Sequence, residues 1–171
     1  MTLTTPQRDA IVQVADLFIA NASPITYPAP DQVIRPHVYR TVDWLQGYWK
    51  TGHHSVWDCS IAVQQVLYCA GNNGQTIADP SGFEYEGWGD TQSWQDALPH
   101  YTSPVDAHAG ALVVFNAGGP VEEQHGCIVI TPGSDPVLFS HGSAAGPLRI
   151  SLSEEQTAHT GSTVFLDVSS L

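Results

Sequence analysis

The sequence predicts an α+β domain in which N-terminal helices pack on one face of a C-terminal antiparallel β-sheet. Three observations carry this. Apolar residues recur at helical spacing over the first hundred positions, and after Pro104 the chain breaks into short runs rich in β-branched and aromatic residues, separated by Gly, Pro, Ser and Asp. At 171 residues the chain is also long enough to bury one core without covalent staples. Helices first and closely spaced strands afterwards is the α+β order, not the alternation of a parallel α/β sheet.

Taken in order, Thr5 before Pro6 caps a helix of about residues 6 to 21 whose stripe is Ile11, Val14, Ala15 and Phe18. Three prolines in "NASPITYPAPDQ" make an irregular connection. Pro36 can open a second helix through Val38, Val42, Leu45 and Trp49, which "KTGHHSV" interrupts. From Asp58 the stripe resumes as Ala62, Val63, Val66, Leu67 and Ala70, and Gly71 followed by "NNG" ends it. "DPSGFEYEGWGDT" reads as a long ordered loop, after which Asp90 or Thr91 caps the short helix "QSWQDAL", stopped by Pro99. "GALVVFNA", "HGCIVI", "VLFSHGS", "LRISL" and "STVFLDV" are the strands.

Composition narrows the function classes. With 17 acidic residues against 5 basic ones the net charge is -12, which repels a nucleic-acid backbone or an anionic membrane surface. The opening "MTLTTPQRDAIVQVADLFIA" is interrupted by Asp9 and Asp16 and has no basic start, so no signal peptide is expected. No run approaches the roughly 18 to 20 apolar residues of a membrane span, so a soluble chain made in the cytoplasm is expected. Cys59, Cys69 and Cys127 are an odd set without CxxC spacing, which argues against a disulfide framework or a zinc site and leaves at least one free thiol.

Cys59 has two readings. A free cysteine is often a small buried hydrophobe. If Asp58 is the N-cap, however, Cys59 takes the first helical position, where unpaired N–H groups and the helix dipole favour the thiolate, the nucleophilic form. The charge of Asp58 opposes this, so an imidazolium is required nearby. Cys69 and Cys127 fall among apolar neighbours and read as core. His37, His100, His108 and His159 lie without a partner pattern, and the pair His53 and His54 lacks the HExxH and carboxylate spacing of a metal site.

His125 and His141 stand in neighbouring strands joined by "TPGSDP". Direct cross-strand pairing of the two needs a register centred on Gly133, and a slip of one residue would send the rings to opposite faces. A helix presenting Cys59 to the sheet face that carries His125 would assemble nucleophile, base and a second imidazole to orient the base. The rival reading is two separate core histidines.

Four ordered segments, "WDCSIAVQQVLYCAG", "AHAGALVVF", "QHGCIVI" and "VLFSHGSAAGPLRISL", resemble the motifs of NlpC/P60 cysteine peptidases, most closely the forms encoded by phages of actinobacteria. The likeness covers about residues 48 to 152. It implies a papain-like fold, with residues 1–47 a helical extension and 48–171 a catalytic core within one domain. It further implies a cofactor-free thiol enzyme that cleaves an amide of the peptidoglycan stem peptide, such as a D-γ-glutamyl-diamino acid link. By position Cys59 would be the nucleophile, His125 the base and His141 its orienting partner, with Asp58 and Ser60 near the substrate's amino end and Tyr48 near the oxyanion. The chain departs from the family pattern at Ile61, at "HAGALVVF", which lacks an Asp before the strand, and at Gly126–Cys127. A phage or virion-associated lysin fits this pattern. The alternatives are a virion or tail component that binds wall without catalysis, and a related cysteine amidase or acyltransferase.

Overall fold

Thr4 caps the first helix with a capping box. Its side chain accepts from the Gln7 N–H, and the Gln7 side chain reaches back to the Thr4 N–H. The computed structural model describes residues 3–29, 32, 35–74, 76–101, 103–142 and 145–168. In chain order the elements are α1 (Thr5–Ala20), β1 (Ile25–Thr26), α2 (Val42–Lys50), β2 (Ser55–Val56), α3 (Cys59–Gly71), α4 (Thr91–Ala97), β3 (His100–Tyr101), β4 (Leu112–Phe115), β5 (His125–Thr131), β6 (Val137–Ser140), β7 (Leu148–Ser151), α5 (Leu152–Ala158) and β8 (Thr163–Leu166). The second helix starts six residues after Pro36, with Thr41 at its N-cap, so the apolar spacing of Val38 is not a buried stripe: Val38 is exposed.

The α+β expectation holds. Six strands form one antiparallel sheet in the order β3-β8-β4-β5-β6-β7, and β1 pairs in parallel with β2 in a separate two-strand ladder. Alternation along the strands divides the core in two. Leu112, Val114, Ile128, Ile130, Phe139 and Leu166 meet Ile11, Val14 and Phe18 of α1 and Ile61, Ala62, Val66 and Leu67 of α3. On the opposite face Val113, Phe115, Cys127, Val129, Leu138 and Phe165 are closed over by Leu152. Helices therefore cover both faces, not one. The cover on the second face is α5, which the strand-like run "LRISL" conceals: Ser151 ends β7 and at once caps α5, its side chain accepting from the Glu154 N–H while Glu154 reaches back to the Ser151 N–H.

A second correction concerns register. β5 and β6 pair Ile128 with Phe139 and Val129 with Leu138, and the ladder shifts by one residue before Thr131 meets Val137. The bulge absorbs the residue that a Gly133-centred hairpin would have paired. His125 then falls opposite Gly142, where a Cβ would lie 3.0 Å from the ring's Cε1. His141 follows the end of β6 and turns to the other side. Among the described residues no helix is long and apolar enough to cross a membrane.

Candidate active site

The short ladder between β1 and β2 sets the position of Cys59. The Ser55 N–H donates to the Pro24 carbonyl at 2.8 Å and the Trp57 N–H to the Thr26 carbonyl at 3.0 Å, so the chain enters α3 pinned to the segment that ends in Tyr27. Asp58 caps the helix, its Oδ1 accepting from the Ile61 N–H at 2.7 Å, and Cys59 is the first helical residue, 7% exposed. The Cys59 and Ser60 N–H groups have no intrahelical acceptor, and the positive end of the helix dipole lies at Cys59.

Tyr27, delivered by this ladder, puts its hydroxyl within hydrogen-bonding reach of the Cys59 thiol. Burial and then the negative charges of Cys59 and Asp58 push the phenol up to about 12, so it stays a donor at neutral pH.

His125 opens β5 at the end of the sheet where α3 begins and is 3% exposed. Its Nε2 lies 2.9 Å from Glu155 Oε1 and 2.9 Å from Ser140 Oγ, and Ser140 donates to the same Glu155 oxygen at 2.8 Å. The Cys59 thiol also favours the charged form of this ring. Burial alone would lower the His125 pKa, but Cys127, Cys59 and Glu155 together raise it well above 6.5. Cys127 is completely buried, and burial raises its own thiol, while Glu155 is the carboxylate hydrogen-bonded to the ring. Burial would raise the carboxyl of Glu155, yet hydrogen bonds from His125 and Ser140 hold it below 4.5. His159 stacks on His125, ring centroids 4.4 Å apart and 5° from parallel, and is lowered first by burial and then by repulsion from His125.

Each residue expected at the site can now be placed. Cys59 and His125 come together, although not through the packed face of α3. Along β5 His125 shares the face of Cys127 and Val129, the side on which Glu155 of α5 meets its ring, and the Cys59 thiol acts on the same ring. His141 does not orient His125. Its Nε2 donates to the Trp57 carbonyl at 2.9 Å, its ring lies 5.5 Å from that of Tyr27, and burial holds it below 6.5, hence neutral. It braces the entry to α3, and the side chain held against His125 Nε2 is Glu155. Tyr48 is also displaced: it stacks between Trp44 and His53, at 4.8 and 4.5 Å, on the exposed side of α2. The tyrosine on which Cys59 acts is Tyr27, not Tyr48. Asp58 and Ser60 do flank Cys59, but Ser60 donates to Asp58 Oδ1 at 2.8 Å and both are engaged by Arg35.

His125, Glu155 and His159 bring three metal-ligating atoms within 4.8 Å of one another. A metal ion lies in the plane of each imidazole that binds it, and two parallel stacked rings cannot both aim at one point. In this arrangement His125 is hydrogen-bonded to Glu155, while His159 stacks on His125 with its Nε2 3.6 Å from the same carboxylate oxygen. Neither protein-family models nor curated proteins give a match to the chain.

Proposed function

We propose that the chain is a cysteine peptidase of NlpC/P60 type, with a papain-like arrangement of helix and sheet, and that it cleaves an amide bond in the stem peptide of peptidoglycan. The carrying observation is that a thiol at the first position of a helix faces a buried histidine whose far nitrogen is held by a buried carboxylate. A core cysteine needs neither the carboxylate nor the histidine, and burying that pair is costly unless it serves a purpose. The peptidoglycan substrate rests on the ordered sequence motifs.

In this mechanism the Cys59 thiolate, paired with protonated His125, attacks the amide carbon and forms an S–C bond. The carbonyl π electrons move to oxygen, and the oxyanion is received by the Cys59 N–H and the Tyr27 hydroxyl. Collapse breaks the C–N bond as Nδ1 of His125 gives its proton to the departing amine. His125 then takes a proton from water, the hydroxide attacks the thioester, and thiolate and carboxylic acid separate. Glu155 remains ionised throughout and stabilises each imidazolium.

Labelling with a thiol-directed electrophile tests this reading. Cys59 should react while buried Cys69 and Cys127 do not, and His125→Ala should abolish the reaction; labelling that ignores His125 would contradict it.

A further inference from the structure

Of the side chains gathered round His125 among the described residues, Phe115, Cys127, Ser140 and Glu155 are buried, and His159 is the one that reaches solvent, 28% exposed. It ends α5, where its N–H donates to the Glu155 carbonyl at 3.1 Å, which sets its ring beside the carboxylate one turn back. That ring lies over His125, centroids 4.4 Å apart and 5° from parallel, and packs against Phe115 of β4 at 5.6 Å. Its Nε2 is 3.6 Å from Glu155 Oε1, the oxygen that already holds His125 Nε2 at 2.9 Å and the Ser140 hydroxyl at 2.8 Å. The titratable groups that face His159 are His125 of β5 and Glu155 of its own helix, and Cys127 of β5 acts on both of these from within the core. A neutral His159 stacks on the imidazolium without charge repulsion and leaves Oε1 to His125 and Ser140. A protonated one would set a second cation face to face with the first and a charged donor beside Oε1. Burial and then repulsion from His125 hold it below 6.5, so the neutral form prevails at pH 7.

We infer that His159 is a positioning residue for His125: its neutral ring seats the base against Glu155, and a proton on it draws Glu155 Oε1 away from the base, so that activity falls in mild acid. This rests on the peptidase reading above. The event is the transfer of one proton from solvent to His159, with no covalent bond made or broken between heavy atoms. It is reversible, because only the exposed ring has to exchange its proton, and the buried His125–Glu155 pair follows.

His159→Phe, a flat ring that stays neutral, and His159→Ala, which removes the ring, provide the test. Release of new amino groups from purified peptidoglycan by the wild-type protein should fall between about pH 7.5 and about pH 5.5, by a factor that His159→Phe reduces at least about threefold. His159→Ala should be slower than His159→Phe at both pH values, since its His125 ring is no longer seated. An equal fall with pH in wild type and His159→Phe, or a His159→Phe protein no faster than His159→Ala, overturns the inference. NMR of the unmodified protein needs no variant and no substrate: the Nε2 proton of His125, which reports the bond to Glu155, should move upfield on acidification with the midpoint at which His159 titrates. A proton that ignores that titration overturns the inference as well. The two claims fail separately. Coupled titration without cleavage contradicts the peptidase reading alone, whereas Cys59-dependent cleavage with uncoupled rings contradicts the His159 inference alone.

Discussion

Replacing Glu155 by Gln changes one charge at the centre of the proposed site and leaves its shape. In the native protein Oε1 accepts from His125 Nε2 at 2.9 Å and from Ser140 at 2.8 Å, with the His125 and Glu155 side chains only 4% and 7% exposed. Glutamine can still accept through its oxygen, so the change turns charge-assisted bonds into neutral ones, a loss of about 1 to 2 kcal/mol in stability. The effect on rate is larger, because the imidazolium that forms or persists in each step loses its buried counter-ion. A fall of about 10²- to 10⁴-fold in turnover is expected, or about 3 to 5 kcal/mol at 1.36 kcal/mol per decade. Glu155→Ala should go further and also unfold more easily, since removing one partner of a buried pair costs about 3 to 5 kcal/mol. The assay is release of new amino groups from purified peptidoglycan, alongside thermal unfolding. A folded Glu155→Gln protein within about twofold of wild-type turnover would refute the assignment of Glu155.

The two tyrosines should separate cleanly: Tyr27→Phe, which keeps the ring but removes the donor, should slow turnover about 10²-fold, while Tyr48→Phe, whose ring stacks on Trp44 and His53, should leave it unchanged in the same assay. His141→Ala leaves the Trp57 carbonyl without its donor and should lower stability by about 1 to 3 kcal/mol. Its pH–rate profile should keep the wild-type shape, unlike that of Glu155→Gln. Stability should also depend on pH through the His125–Glu155 pair. The raised His125 contributes fully below 6.5 and loses that contribution as pH climbs through its raised value, while the lowered Glu155 contributes fully above 4.5 and loses it as pH falls through its depressed value. Thermal midpoints across pH should therefore peak between about 4.5 and 6.5 for this pair, a feature that Glu155→Gln should flatten.

What the sequence disclosed and what it hid follow from the range of the interactions involved. Asp58 as cap and Cys59 as first helical residue depend on neighbours three residues apart, and that local pattern was readable. So were β4, β5 and β6, whose β-branched runs sit between strong turn signals. The pairing of His125 with Glu155 spans 30 residues and depends on α5, whose capping box Ser151-Leu-Ser-Glu154 was present in the sequence but merged with the strand before it. A hairpin without a bulge would pair His141 with His125, and a shift of one residue in the ladder sends its side chain to Trp57 instead. Tyr27 and Arg35 lie in the proline-rich connection, where no periodicity marks a side chain. Tyr27 comes to Cys59 through a two-residue parallel ladder, and Arg35 comes to Asp58 and Ser60 through a contact with the Gly87 carbonyl, both of which only the folded chain reveals.

Mass spectrometry of the fragments released from peptidoglycan of known stem composition tests the central claim most directly. The account predicts fragments with new amino groups from cleavage within the stem peptide by the wild-type protein, and none from Cys59→Ala. Undiminished release by Cys59→Ala, or no release by the folded wild-type protein, would contradict it.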